Sequence, residues 1–232
     1  MRIVPVYVWN QLPIGNKKDE LVSQSEEPIL RKVIEQRGIK IRRPHEKNTY
    51  LERILADSSV FIVEGISGSG KDTFQTYLKK KLEDRDVYDY SEGELLLSWN
   101  QRPIKDIFKL QVRLMRNFLD YVADTINRDD RAVFLLNRFH LSTYTMGVTE
   151  QPKLEREYNI VLKKLRTLPT HVFILQLMES EIETRSYHPE RGAAWQKFQQ
   201  HILEREGFKS FLQRNILLQK AMVDTAMHQQ IP

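Results

Sequence analysis

Residues 60–73 read V-F-I-V-E-G-I-S-G-S-G-K-D-T, an apolar, β-branched run that gives way to three closely spaced glycines, a lysine and a helix-compatible stretch. Such a series forces a strand, a tight loop and a helix into one continuous unit, and it predicts a strand over 60–64 and a helix over 72–84. Gly65, Gly68 and Gly70 let backbone N–H groups turn inward and approach a ligand with no Cβ in the way, and some of these positions need a positive φ. Lys71 adds a point charge, and the helix behind it aims unpaired N–H groups and its positive dipole end at the same place. The combination predicts that Gly65, Ser67, Gly68, Ser69, Gly70, Lys71, Asp72 and Thr73 surround phosphate groups. The common form of this loop, G-x-x-x-x-G-K-[ST], has a hydroxyl after the lysine to ligate Mg²⁺, whereas here Asp72 stands there with Thr73 behind it. A Gly/Ser-rich turn that merely joins a strand to a helix is the plainer alternative. The lysine and the flanking strand and helix weigh against it.

The rest of the composition narrows the class. With 232 residues, 41% hydrophobic and 29% charged, one main domain with a sizeable core is expected. No run approaches the roughly 18 apolar residues of a spanning helix, and the first residues lack a signal series, so a cytoplasmic protein without a membrane partner is expected. The absence of cysteine excludes disulfides, thiolate metal sites and cysteine nucleophiles. The net charge of +5 is scattered: Lys79-Lys80-Lys81 and Arg42-Arg43 have acidic neighbours and no interleaved aromatic platform. They read as solvated faces, and no nucleic-acid partner is expected.

Residues 1–50 precede the loop unit as an N-terminal extension, with a strand expected at 3–9, a polar loop at 16–27, a helix at 27–36 and a short strand at 39–41. Pro5 suits an edge position. Residues 51–232 form the main domain, beginning with a helix at 50–56. After the loop come a strand at 87–90, a helix at 105–128, a strand at 132–136, a helix at 153–167, a strand at 171–178 and helical segments over 193–227 broken near Gly207. Strands alternating with helices imply right-handed crossovers, helices on both faces and ligands at the carboxyl ends of the strands. Gly65, Asp89 and Asn137 fall at such ends.

Arg138 is the second signal, because an arginine at a strand's carboxyl end beside a phosphate loop can fork onto a second phosphate. For a single arginine a surface ion pair is the ordinary role. The run N-R-F-H-L-S-T over 137–143 shifts that balance. Glu64 to Thr73, E-G-I-S-G-S-G-K-D-T, resembles the thymidylate kinase pattern E-G-x-D-G-x-G-K-[SD]-T, and 137–143 resembles that family's D-R-[YFH]-x-x-S-[ST]. Arg116 lies at a compatible spacing in the intervening helix. The resemblance spans about residues 60–225 and implies a P-loop NTPase fold: three α/β/α layers, a mostly parallel central sheet and a mobile lid at about 180–195.

It further implies ATP-dependent transfer of the γ-phosphoryl group, with Mg²⁺, to a nucleoside monophosphate. By the resemblance Lys71 and the loop amides bind the ATP phosphates, Asp72 and Thr73 sit near Mg²⁺, Arg138, Phe139 and Ser142 hold the acceptor, and Arg116 addresses its base. Arg185 and Arg191 look like lid arginines that cover the transferring group, where a closing cationic segment stabilises spread charge and excludes water. Arg185 pairing with Glu181 one helical turn earlier is the ordinary alternative. The chain departs from the family at Ser67 and Asn137, where aspartates are usual, and at Tyr144-Thr145-Met146-Gly147, where the family continues x-A-Y-Q. Asp72 could supply the negative charge missing at the metal.

Asp89, Glu92 and Glu94 follow the second strand, where deoxynucleoside kinases place a base for a sugar hydroxyl, so a kinase for a nucleoside or other small metabolite remains open. A regulatory module that binds ATP without turnover is the alternative from another class. His140 reads as a core or pocket residue, and Phe108, Val112, Phe118, Leu119 and Val122 read as helix packing. Too few residues follow 227 for the fifth strand usual in the family. The segment 3–9 is expected to fill that edge, with a homodimer as the other way to complete it.

Overall fold

The computed structural model describes residues 44–97, 106–149, 151–186 and 192–231. Helix α1, Pro44–Asp57, belongs to one compact unit and residues 58–231 to another. The elements expected at 3–9, 16–27, 27–36 and 39–41, together with Arg42-Arg43, His188 and Arg191, lie outside the described residues.

The second unit begins with strand β1, Val60–Gly65, whose first four side chains have no exposed surface. There follow α2 (Lys71–Lys81), β2 (Asp86–Tyr90), a π-helical turn at Gly93–Leu97, α3 (Ile107–Arg128) and β3 (Ala132–Asn137). A four-residue helix α4 (His140–Thr143) runs into a second π-helical turn, Tyr144–Val148, before α5 (Pro152–Thr167), β4 (Thr170–Leu175), α6 (Glu179–Ser186), α7 (Gly192–Glu206) and α8 (Phe208–Gln229). Among the described residues the sheet has four strands in the order β2-β3-β1-β4. All are parallel, with Val60 opposite both Phe134 and Thr170.

Because β1 and β3 are buried along their whole length and apolar up to Glu64 and Asn137 near their ends, both faces of the sheet must be covered. Val60, Ile62, Phe134 and Leu136 face Val112, Met115, Leu119 and Val122 of α3 and Tyr158, Val161 and Leu165 of α5. Their alternates face α2, where Phe74 meets Phe173 edge-on at 5.1 Å and Phe173 stacks on Phe61. Each large side chain so buried contributes about 1.5–3 kcal/mol from the area removed from water. The expected packing role of α3 is therefore what the structure shows: Val112, Leu119 and Val122 are buried, and Phe108 and Phe118 pack against the same core.

The strands and the longer helices follow the expectations; α4, α6 and the two π-helical turns were not among them, and the other differences have local causes. The strand expected to reach 178 ends at Leu175, because Leu177 hydrogen-bonds a side chain instead of a neighbouring strand. Its N–H donates to Gln219 Oε1, and Gln219 Nε2 donates to its carbonyl, both at 2.8 Å. Gly207 breaks the long C-terminal helix with φ +77°, its N–H still bonded to Leu203.

The strand order decides where a ligand can sit. From β1 the chain crosses to β2 on one side, and from β3 it crosses over β1 to β4 on the other. The crevice at the carboxyl ends of β1 and β3 is thus the topological switch point of the sheet.

Candidate functional site

At that crevice β1 delivers the glycine loop. Gly65, Gly68 and Gly70 take φ of +146°, +85° and +87°. A Cβ on Gly65 would stand 2.6 Å from the Leu175 carbonyl oxygen, and one on Gly68 3.2 Å from that of Arg185. Gly70 begins α2 without any side-chain cap, so the first N–H groups of that helix are left for an outside acceptor. Lys71 is buried, and its Nζ donates to the Ile66 carbonyl at 3.0 Å, curling back over the loop. Burial, helped by the nearby Arg138 guanidinium, lowers its pKa to about 7, against the opposing pull of Glu92, Asp72 and Glu64. Ser69 Oγ is buried with no hydrogen-bond partner.

Strand β3 delivers the other wall. Arg138 leaves the strand with φ +59°, a left-handed conformation costly for a residue with a Cβ, and its N–H donates to the Val63 carbonyl at 2.9 Å. Its Nη1 donates to Glu92 Oε1 at 2.8 Å, while its Nε is buried without a partner. Asn137 donates through Nδ2 to Asp72 Oδ1 at 2.5 Å, tying β3 to the start of α2. That bond fixes the orientation of the amide, and Asn137 Oδ1 is left buried and unpartnered on the other side.

Glu64 underlies both walls. It is fully buried at the end of β1, where Oε1 accepts N–H groups from Phe139 at 2.8 Å, Leu141 at 3.0 Å and Ser142 at 3.5 Å. Oε2 accepts the Ser142 hydroxyl at 2.5 Å. Burial pushes this carboxyl above the usual carboxylate range, against the lowering effect of Ser142, Phe139 and Arg138.

The three carboxylates after β2 separate by role. Asp89 pairs with Lys79 Nζ at 3.0 Å and accepts from Gln75 Nε2, so it is tied to α2. Glu94 is exposed and accepts the Ser91 N–H and hydroxyl, both at 2.7 Å, which holds it below the usual carboxylate range. Glu92 alone of the three contacts a residue of the crevice, through Arg138.

The remaining expected residues divide between crevice and core. Thr73 is exposed beside Asp72 on α2. Phe139 is buried with its ring tilted against Phe118 at 5.9 Å, and Ser142 is spent on Glu64. Arg116 is partly buried on α3, next to Met115. Arg185, at the end of α6, brings its backbone against Gly68, and α6 is anchored by Ile182, which packs with Ile66 of the loop itself. No Arg185–Glu181 ion pair occurs among the described residues. His140 is buried in α4 with Nδ1 unpartnered, and desolvation lowers its pKa to about 3, so it is a neutral core residue. Sequence reasoning passed over Glu64 as a working residue. Its signal was present: a lone carboxylate closing a run that must be buried has to find several donors.

No group of three or more metal-ligating carboxylates and histidines occurs among the described residues. No family model matches the chain, and no curated protein does. Among solved structures it is similar to the thymidylate kinase of Ehrlichia chaffeensis, at 16% identity and a TM-score of 0.39, over 64% of this chain and 88% of that one.

Proposed function

We propose that this chain is a phosphotransferase that moves the γ-phosphoryl group of ATP to a nucleoside monophosphate. One observation carries the reading: Lys71 and Arg138 converge at the switch point of a parallel sheet, beside a glycine loop whose helix N-terminus is uncapped. Burial first and the neighbouring Arg138 second lower the Lys71 pKa, a cost that an anion bound between the two cations would offset. The loop amides and Lys71 bind the donor phosphates, and Arg138 binds the phosphate of the acceptor once Glu92 gives way. Arg185, whose backbone at the end of α6 lies against Gly68, joins them in this reading, as does Arg191. Arg116 reaches the acceptor from α3.

A hard divalent cation such as Mg²⁺ fits the oxygen donors at the start of α2. Asp72, held by the Asn137 amide, keeps a second carboxylate oxygen, and the Thr73 hydroxyl is adjacent in sequence. When bound, such an ion neutralises charge on the phosphate oxygens. The test is ADP release with ATP and Mg²⁺ against panels of nucleosides and nucleoside monophosphates, run beside Lys71→Ala and Arg138→Ala. Turnover of a monophosphate, falling at least 100-fold in both variants, supports the reading. Tight ATP binding with no acceptor turned over defeats it in favour of a regulatory module.

The Arg138–Glu92 contact favours a second reading, in which the acceptor is a hydroxyl and Glu92 is its base. Turnover of nucleosides but not monophosphates, abolished in Glu92→Gln, would select it.

A further inference from the structure

We infer that Glu64 is the positioning residue for Arg138: it sets how far the guanidinium stands from the phosphate loop, without touching either substrate itself. The inference rests on the phosphotransferase reading for its kinetic test, but its geometry stands apart from that reading. Two consecutive residues of β1 grip the segment that leaves β3. The Val63 carbonyl takes the Arg138 N–H, and the Glu64 carboxylate takes the N–H groups of Phe139, Leu141 and Ser142 and the Ser142 hydroxyl.

Such a grip is needed because the turn is strained. Arg138 adopts φ +59°, which a residue with a Cβ keeps only where its surroundings over-determine it. Helix α4 is four residues long, too short to hold the turn by itself, and its leading N–H groups would be orphaned without the carboxylate. A fully buried carboxylate is in turn costly, and the four donors that converge on it are what make it tolerable. The same strand end continues directly into the glycine loop, with Lys71 Nζ on the Ile66 carbonyl. Donor loop and Arg138 turn are thereby referenced to one rigid point, and losing the carboxylate frees the turn while leaving the loop in place.

The test compares wild type, Glu64→Gln, Glu64→Ala, Arg138→Ala and the Glu64→Ala/Arg138→Ala double variant. It reads kcat and KM for the acceptor, and the Kd of a fluorescent ATP analogue. A glutamine keeps one oxygen for the backbone N–H groups and can donate its amide to the Ser142 hydroxyl, so Glu64→Gln retains acceptor kcat/KM within a few-fold. Glu64→Ala loses it by on the order of 100-fold, keeps the analogue's Kd within about threefold, and adds nothing to Arg138→Ala. Losses that multiply in the double variant, analogue binding lost together with turnover in a folded protein, or Glu64→Gln as damaging as Glu64→Ala would each overturn the inference.

If Glu64→Ala does not fold, Ser142→Ala removes a single donor instead, and its smaller loss must likewise vanish in the Arg138→Ala background. If wild type turns over no acceptor, the functional proposal fails while this inference is still decided by phenylglyoxal modification of Arg138, followed by mass spectrometry. The rate rises several-fold in Glu64→Ala, or in Ser142→Ala where that variant does not fold, combined with Glu92→Gln relative to Glu92→Gln alone if Glu64 holds the turn, and an unchanged rate overturns it.

Discussion

At the scale of single residues, Lys71 is the most informative side chain of the site. Its ammonium is buried beside Arg138, with Glu92, Asp72 and Glu64 as the opposing carboxylates, and the balance puts its pKa at about 7. Bound phosphate favours the charged form, so binding must return the proton. Above pH 7 the free protein has lost it, and nucleotide affinity is expected to fall by up to tenfold per pH unit as pH rises. Calorimetry at pH 8.5 in two buffers of different ionisation enthalpy should show uptake approaching one proton in wild type and none in Lys71→Met. Equal heats in the two buffers for wild type would contradict this. The lysine and its loop were legible in the sequence because they are local, seven residues from Gly65 to Lys71. The pairings of Glu92 with Arg138 and of Asn137 with Asp72 were not, since each joins positions far apart in the chain that only the sheet brings together.

Among elements, the connection between β3 and α5 shows how little of the irregular structure sequence patterns foresee. Residues 137–149 hold a left-handed arginine, a four-residue helix and a π-helical turn, none of which has a hydrophobic period to read. What holds the turn against α3 is close packing: a Cβ on Gly147 would lie 2.2 Å from the ring of Phe108. Gly147→Ala is therefore expected to destabilise the protein by about 1–3 kcal/mol through overpacking. Urea unfolding would measure the loss, and Phe108→Leu, which opens room, should recover part of it. An unchanged midpoint would mean that α3 moves freely at this contact. Helix α6 was expected as part of a lid, and Gly68 and Ile66 explain why it can be sensitive to the loop: it touches the loop's backbone and shares its small apolar cluster.

Over the whole molecule, buried neutral histidines make the fold acid-sensitive. His140 and His171 have pKa values lowered by desolvation to about 3 and about 4. The unfolded chain protonates both below about pH 6.5 and the folded one does not, so this stability is complete above 6.5 and is lost as pH falls, at about 1.4 kcal/mol per unit for each. Unfolding free energy is expected to be about 3 kcal/mol lower at pH 5.5 than at pH 7.5, with His140→Gln removing near half of that slope. Glu64, whose carboxyl burial pushes upward, acts in the opposite sense at the acid end, so comparison of the histidine variant with wild type decides the matter. The four strands, α2, α3, α5 and the C-terminal helices in their order, the glycine loop and the core face of α3 were determined by the sequence alone, because each depends on residues close in the chain: periodicity, glycine at positive φ, and apolar runs that must be covered. The strand order β2-β3-β1-β4, the switch point it creates, the division of Asp89, Glu92 and Glu94 into separate partners, and the hold of Glu64 on the Arg138 turn were decided only by tertiary structure. Each depends on which distant residues meet across a parallel sheet, and a local pattern carries no record of that.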